Sequence, residues 1–213
     1  QVNQRQKSKL MQAVGAIPKK KEVGIIDHPM PTLESDDHLI IKSLDVGICG
    51  TDREICTFVY GDPPKESDYL VLGHESMGVI EEVGSSVQHL KPGDLVVPSV
   101  RPPCVHDHCA PCQADLQDFC STGHFVERGI KMSHGFMTEY YSEQEKFLNF
   151  VPTSLRDVAV LVEPLTIVEK AMSQVWPMQS RLPWVKHKNA NGGPSGKGLN
   201  AVVLGAGPVG ILG

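Results

Sequence analysis

Short apolar runs separated by turn residues dominate the first half of the chain. The runs are AVGAI, EVGII, HLIIKSLDVGI, MGVIEEVG and LVVP, all between Gln12 and Pro98. Many of their residues are β-branched, and Lys91-Pro92-Gly93-Asp94 supplies a turn before the last run. This pattern predicts a strand-rich domain with short strands and tight turns.

The periodicity disappears between Pro98 and Met132, where cysteine, histidine, proline and aspartate dominate. A segment so poor in apolar residues cannot fold by burial alone, so it needs an external organiser such as a metal ion.

Helical spacing begins only after Pro152. Ser154, with Asp157 three residues further on, resembles a helix N-cap with an acidic partner and predicts a short helix. A second set of apolar residues at helical spacing predicts a helix with one buried face that ends at Pro177. Its members are Ile167, Val168, Ala171, Met172, Val175 and Trp176.

The last part of the chain predicts a loop, a strand and a glycine turn. Residues 179–200 are rich in Gly, Pro, Asn and Lys and have no period, as in an exposed loop. Ala201 to Leu204 then predict a buried strand that leads into Gly205-x-Gly207-x-x-Gly210. Glycines at this spacing after a strand suit a tight turn, close approach to a pyrophosphate, and packing of helix on sheet.

The glycine turn comes too late in the chain to complete a dinucleotide site. The chain ends three residues after Gly210, before the residue about 20 positions on that selects NAD or NADP. We therefore expect a piece of a longer protein that is inactive by itself. The alternative is that Gly205 to Gly213 is a flexible glycine tail.

Charge and hydropathy exclude several classes of function. The formal charge is -5, with 20 Lys and Arg against 25 Asp and Glu, which offers no large basic surface for nucleic acid or anionic lipid. No apolar run approaches the roughly 20 residues of a membrane span. Residues 1–10 are polar, lack the apolar stretch of a secretory signal, and are expected to form a mobile extension or cloning remnant. A soluble cytoplasmic protein is expected.

Four of the six cysteines fall within seventeen residues: Cys104, Cys109, Cys112 and Cys120. In a chain without a signal peptide such clustering favours metal ligands over disulfides, and four thiolates can close a tetrahedral structural zinc site. The four-residue gap after Cys104 leaves open that His106 or His108 is a ligand instead. Reduced free thiols in a surface loop are the alternative to a metal site. Cys56 has no assigned role.

Three further motifs bring a family to mind. GICGTD (47–52), GHES (73–76) and VEPL (162–165), together with the cysteine segment and the glycine turn in this order, resemble the zinc-containing medium-chain alcohol dehydrogenases. The resemblance implies a mixed α/β fold. A GroES-like β-barrel catalytic domain would span 11–165, with its zinc lobe at 101–123. The truncated start of a Rossmann domain would follow at 166–213.

The same resemblance implies a catalytic zinc held by Cys49, His74 and an acidic residue. A thiolate, an imidazole and a carboxylate leave one coordination position open, which a zinc ion needs in order to polarise an alcohol. By resemblance, Thr51 relays the substrate proton and Asp52 orients the imidazole. The alternative reading is that Cys49 is a small buried apolar residue and that GHES only closes a turn.

Two longer runs, Asp118 to Tyr141 and Leu161 to Met172, look most like the archaeal-type glucose dehydrogenases. This likeness implies that Glu75 and Glu163 are further ligands of the catalytic zinc, that Glu163 also lies near the substrate, and that Glu127 holds the sugar hydroxyls. The alternative for Glu127 is a solvated ion pair with Arg128.

The expected function is oxidation of an aldose, D-glucose to glucono-1,5-lactone, with hydride transfer to NAD+ or NADP+. It belongs to the longer parent enzyme, expected to be a homodimer or homotetramer. The alternatives are a polyol or secondary-alcohol dehydrogenase of the same family, and a zinc-binding module without catalysis.

Overall fold

The computed structural model describes residues 9–183 and 200–213. Within these ranges the strands are β1 (Leu10–Ile17), β2 (Glu22–Pro29), β3 (His38–Gly47), β4 (Leu70–Val71), β5 (Glu75–Val83), β6 (Leu95–Pro98), β7 (Glu127–Arg128), β8 (Met132–Ser133), β9 (Tyr140–Gln144) and β10 (Leu148–Val151). The α-helices are α1 (Gly50–Cys56), α2 (Ala110–Gln113), α3 (Val162–Gln179) and α4 (Pro208–Leu212). Single 3-10 turns lie at Gln117–Phe119, Glu145–Phe147, Thr153–Leu155 and Ala159–Leu161. The chain divides into two compact units, the first ending at Val160 and the second beginning at Leu161.

Antiparallel sheets build the first unit. One sheet has the strand order β10-β6-β5-β3-β9 and the other the order β2-β1-β4, while β7 and β8 form a short parallel pair. The apolar runs before Pro98 lie in β1, β2, β3, β5 and β6, so the strand-rich prediction for this half is confirmed. The predicted turn is present, and Gly93 at φ +91° donates its N–H to the Ile80 carbonyl at 2.8 Å.

Two apolar clusters hold these sheets in place. The cluster of the five-stranded sheet comprises Leu39, Ile41, Ile80, Val96, Phe136, Tyr141 and Leu148. The second cluster comprises Ala16, Ile55, Leu70, Leu72 and Ile130. Ile55 belongs to α1 and Leu70 to β4, so the second cluster fixes α1 beside the strand that leads to His74.

The segment that leads to His74 is also fixed by hydrogen bonds from the residues before β9. The Met137 N–H donates to the Leu72 carbonyl at 2.8 Å, and the Val71 N–H donates to Nδ1 of His134 at 3.1 Å. Burial lowers the pKa of His134 to about 4, so at neutral pH its imidazole is uncharged and can accept this bond. The segment before β9 therefore fixes the backbone just before Gly73.

The helix α3 differs from its sequence prediction in two respects. It begins at Val162 and continues through Pro177 to Gln179, so the predicted end at Pro177 is wrong. Because the helix stops two residues later, the missing proline N–H disturbs only its last turn. The predicted buried face is also wrong, since Pro164 is the helix's buried residue among those described and Ile167 is 53% exposed.

Two shorter predictions are corrected as well. The expected strand at 201–204 does not form, and Leu204 is 92% exposed. A strand needs a neighbouring strand for its backbone hydrogen bonds, and no described residue pairs with this segment. The expected helix at Ser154 is a single 3-10 turn, Thr153–Leu155, preceded by Pro152 and without a side-chain cap.

Some predictions fall outside the described residues. These are most of the loop expected at 179–200, of which 184–199 are not described, and the extension expected at 1–10, of which 1–8 are not described. Leu10 already belongs to β1, where it pairs with Pro29. None of the helices in the described ranges has the length and apolar character required to cross a lipid bilayer.

Candidate metal centres

Cys49 begins α1 as its N-cap residue. Its Sγ accepts the N–H of Thr51 at 3.3 Å, and its own N–H donates to Oδ2 of Asp52 at 2.9 Å. This reciprocal arrangement is a capping box in which cysteine takes the place usually held by serine or threonine. The sulfur is thereby fixed at the N-terminal end of the helix.

His74 lies between β4 and β5 with its ring aimed at Cys49. Nε2 of the imidazole is 3.1 Å from Sγ of Cys49, and the residue is 5% exposed. Gly73 makes this placement possible, because its φ of +86° is strained for other residues and a Cβ would meet Met137 Cγ at 2.6 Å.

Asp52 lies on the opposite side of the same imidazole. Its Oδ1 is 3.5 Å from Nδ1 of His74, and the residue is only 2% exposed. Burial raises the pKa of Asp52, but hydrogen bonding with His74 and the Cys49 N–H outweighs this, so the pKa lies below its ordinary value. An ionised carboxylate here favours a proton on Nδ1 and leaves the Nε2 lone pair directed at the sulfur.

Glu75 places a second carboxylate next to Cys49. It is the first residue of β5 and pairs in register with Gly47, where a Cβ would collide with Oε2 of Glu75. Burial raises the pKa of Glu75, the charge of Asp52 raises it further, and a hydrogen bond with Cys49 opposes the change. Glu75 shares the partly buried surroundings of Cys49, but the ligand atoms that lie within 4.8 Å of one another are those of Cys49, Asp52 and His74.

These donors fit a divalent cation. The ligand atoms of Cys49, Asp52 and His74 all lie within 4.8 Å of one another. A thiol, an imidazole and carboxylates at this spacing are unfavourable to bury together without a compensating positive charge. For a tetrahedral zinc ion the sulfur and imidazole nitrogen would be about 3.6 Å apart, close to the 3.1 Å found between Cys49 and His74.

The two remaining residues predicted for this site lie on different elements. Thr51 is the second residue of α1, and its N–H already donates to Cys49. Glu163 lies in the first turn of α3, in the second compact unit. Its role as a ligand stays a prediction.

The four clustered cysteines converge as a second donor set. Sγ of Cys104, Cys109, Cys112 and Cys120 all lie within 4.8 Å of one another, and all four are free thiols. Sγ of Cys109 and Cys120 are 3.8 Å apart, the separation that two thiolates about 2.3 Å from one tetrahedral zinc would have. We call residues 101–123 around them the thiol lobe. In the described residues Cys104 belongs to this group and neither His106 nor His108 does.

Hydroxyl groups tune the thiols of this lobe. Ser121 Oγ is 3.5 Å from Sγ of Cys109, and this hydrogen bond is the main cause that lowers the pKa of Cys109. Thr122 Oγ1 is 3.3 Å from Sγ of Cys120, and this hydrogen bond lowers the pKa of Cys120. Burial, in contrast, raises the pKa of Cys112. Three of the four thiols are buried, and thiols this close together cannot all ionise without a counter-charge, so this set also fits a cation.

Glu127 is buried in β7, with 8% exposure. Its Oε1 accepts from the Arg101 guanidinium at 2.6 and 3.0 Å, whereas Arg128 pairs with Glu143. The alternative of a solvated Glu127–Arg128 pair is therefore wrong. Sequence reasoning missed Arg101, because no local spacing connects it with a residue 26 positions away.

Three of the four glycines after residue 204, namely Gly205, Gly207 and Gly210, form a tight turn in the second unit. Gly205 has φ +117°, Gly207 is the N-cap of α4, and a Cβ at Gly210 would collide with the carbonyl of Gly205. Gly205 and Gly210 thus meet a backbone requirement of the turn, whereas a Cβ at Gly207 would meet no other atom. A pyrophosphate site at this turn remains a prediction.

Comparison with known proteins identifies the first unit. Residues 35–153 match the family model described as alcohol dehydrogenase GroES-like domain. Glucose 1-dehydrogenase of Methanocella arvoryzae is 41% identical over 205 residues, which cover 95% of this chain and 53% of that protein. Glucose 1-dehydrogenase 1 of Caldivirga maquilingensis is 38% identical over 205 residues, covering 96% and 52%. The chain spans about half the length of the curated relatives it matches.

A solved structure gives the same result. Glucose dehydrogenase of Haloferax mediterranei, in complex with NADP, zinc and gluconolactone, has a TM-score of 0.74 and 33% sequence identity over 84% of this chain and 49% of that chain. The expected mixed α/β fold with a GroES-like domain is confirmed by these matches.

Proposed function

The chain belongs to the alcohol dehydrogenase GroES-like domain family, and from this membership we propose that it forms the zinc-binding part of an enzyme that oxidises an aldose. The substrate is D-glucose or a similar sugar, oxidised at C1 to the lactone, and the hydride acceptor is NAD+ or NADP+. The observation that carries the proposal is the 3.1 Å approach of Cys49 Sγ to His74 Nε2, with the Asp52 carboxylate behind the ring. Glucose dehydrogenases among the relatives support the choice of sugar.

In this proposal Cys49, His74 and Glu75 would hold the catalytic zinc. Zinc supplies Lewis acidity, which lowers the pKa of the sugar hydroxyl and stabilises negative charge on its oxygen. The carboxylate of Asp52 stays out of the ligand set in this proposal, because Oδ2 accepts the Cys49 N–H at 2.9 Å and Oδ1 faces Nδ1 of His74 at 3.5 Å. It keeps the imidazole in the tautomer whose Nε2 is free to coordinate.

The protein's own side chains then move the proton and position the sugar. Thr51 would accept the sugar hydroxyl proton while it releases its own proton towards solvent, and a bound nicotinamide would supply the hydride acceptor for C1. The products are the lactone and NAD(P)H. Glu127, oriented by Arg101, accepts hydrogen bonds from the sugar hydroxyls.

The remaining parts of the proposal concern the rest of the protein. Cys104, Cys109, Cys112 and Cys120 hold a structural zinc in the thiol lobe. Gly205, Gly207 and Gly210 begin the pyrophosphate turn of a Rossmann domain. A cytoplasmic location and assembly as a homodimer or homotetramer follow from the resemblance to the family.

The test is an assay of the full-length protein with glucose, galactose, xylose and sorbitol, each with NAD+ and with NADP+, before and after metal removal. We expect lactone formation from an aldose that is lost on chelation and restored by zinc. Activity confined to sorbitol would overturn the aldose assignment. Activity that survives complete zinc removal would overturn the metal mechanism.

Replacing Asp52 with asparagine is expected to reduce zinc affinity or kcat/KM by roughly ten- to a hundredfold. An amide removes the charge that holds the imidazole tautomer but preserves the shape of the side chain. The measurements are zinc content after dialysis and steady-state kinetics. Asp27→Asn is the control, because Asp27 is exposed on β2. Unchanged affinity and activity in Asp52→Asn would remove the orienting role.

Replacing Glu127 with glutamine is expected to raise KM for the sugar by roughly ten- to a hundredfold, since a hydrogen bond to a charged group contributes about 1.5–3 kcal/mol. The matched control is Glu143→Gln, because the side chain of Glu143 is 13% exposed against 11% for Glu127 and also pairs with an arginine. An equal change of KM in both variants, or an unchanged KM in Glu127→Gln with its fold intact, would contradict sugar binding.

A further inference from the structure

Three histidines lie on the thiol lobe or directly after it and have no part in the function proposed above. They are His106, His108 and His124, of which His108 and His124 are exposed and His106 is half-buried. Two precede the thiol of Cys109 and the third follows that of Cys120 in the chain. The lobe therefore carries imidazoles on its surface as well as thiols inside.

The rings of His106 and His124 point a nitrogen atom at each other. Nε2 of His106 and Nδ1 of His124 are 2.8 Å apart. Two lone pairs at this distance repel each other, so either a proton or a cation has to lie between the rings. Imidazole nitrogens that share a tetrahedral zinc are about 3.3 Å apart, so a small movement separates the observed contact from joint ligation.

The ring of His108 lies about as far from the ring of His106 as the ring of His124 does. The ring centroids of His106 and His124 are 5.0 Å apart, and those of His106 and His108 are 5.3 Å apart. For two imidazoles bound to one tetrahedral zinc at about 2.0–2.1 Å, the centroids lie about 5 Å from each other. The ligand atoms of the three rings do not all lie within 4.8 Å of one another as the structure stands, so His108 has to turn its exposed ring to bring a nitrogen to the same point.

We propose that His106, His108 and His124 form a surface binding site for a divalent zinc ion, distinct from the four thiols. Three neutral imidazoles and one water complete a tetrahedral set that suits zinc. The exposed position allows exchange with zinc in solution. The site is linked to the lobe interior by Thr122, whose hydroxyl accepts the backbone N–H of His124 at 3.3 Å and donates to Cys104 Sγ at 3.5 Å.

The experiment is a calorimetric titration with zinc chloride of the full protein chain, purified with its resident zinc and dialysed against metal-free buffer. The wild-type protein is expected to bind one additional zinc ion. His106→Gln and His124→Gln are expected to weaken this binding by at least about tenfold, because each removes one of three ligands. His89→Gln is the matched control, because His89 is an exposed histidine in another part of the unit.

Elemental analysis before the titration separates this site from the thiol site. If His106→Gln or His124→Gln has also lost resident zinc, the proposal is tested with His108→Gln instead, because the side chain of His108 is exposed. Nitrogen-15 shifts of the His106 and His124 rings on addition of zinc give a site-specific readout. No additional binding by the wild-type protein, or equal binding by the three variants and the control, would overturn the proposal.

Discussion

Replacing Cys49 with serine in the full-length enzyme is expected to lower kcat/KM for D-glucose by at least about 1000-fold while leaving the protein folded. A Lewis-acid metal contributes several kcal/mol at the transition state, and about 1.4 kcal/mol corresponds to a factor of ten in rate. Serine is a good N-cap residue, so its hydroxyl can still accept the Thr51 N–H that Sγ accepts now. The variant therefore removes a zinc ligand and preserves the start of α1.

The measurements for Cys49→Ser are steady-state kinetics, zinc content and thermal unfolding. We expect one zinc ion per chain in place of two, with a midpoint of unfolding close to that of the wild type. Cys56→Ser is the control, because Cys56 ends the same helix and belongs to neither donor group. Near-wild-type activity of Cys49→Ser with its catalytic zinc retained would show that this sulfur is not a ligand.

Replacing Cys112 with serine is expected to act mainly on stability. Cys112 is 3% exposed and accepts the Cys104 N–H at 3.4 Å, and a neutral serine hydroxyl does not replace a thiolate on zinc. Loss of a structural metal can lower the free energy of unfolding by more than about 4 kcal/mol. We expect loss of the lobe's zinc and a lower free energy of unfolding, measured in urea.

Comparing the two cysteine variants tests the assignment of two separate sites. Cys112→Ser should retain catalytic zinc and measurable activity at temperatures where it is folded. Equal losses of stability in Cys49→Ser and Cys112→Ser would contradict the division into a catalytic and a structural centre. Full zinc content in Cys112→Ser would exclude a structural role for that thiol.

The parts of the site that could be predicted from sequence depend on short separations along the chain. Cys49 and Asp52 are three residues apart, so one helical turn fixes both, and the structure has the capping box that their spacing allows. The four thiols likewise fall within one short segment. Strand runs such as His38–Gly47 were also visible, because alternation and β-branched residues mark them locally.

The parts that could not be predicted depend on partners distant in sequence. The bond between Arg101 and Glu127 joins residues 26 positions apart without any periodic pattern. The apolar run at 201–204 reads as a strand, but strand formation requires a neighbour with which to pair. The helix α3 continues past Pro177 because a proline near a helix end disturbs few hydrogen bonds.

The compact spacing of the thiol lobe has a consequence for how the protein is made. The four cysteines of the lobe fall within seventeen residues of the chain. In contrast, the second edge of β3 pairs with β9, which is synthesised about a hundred residues later. Short loops close quickly and with little entropic loss. Under the proposed structural zinc site, the lobe would capture its ion during synthesis before the five-stranded sheet has all its strands, and metal supply would then act on the nascent polypeptide.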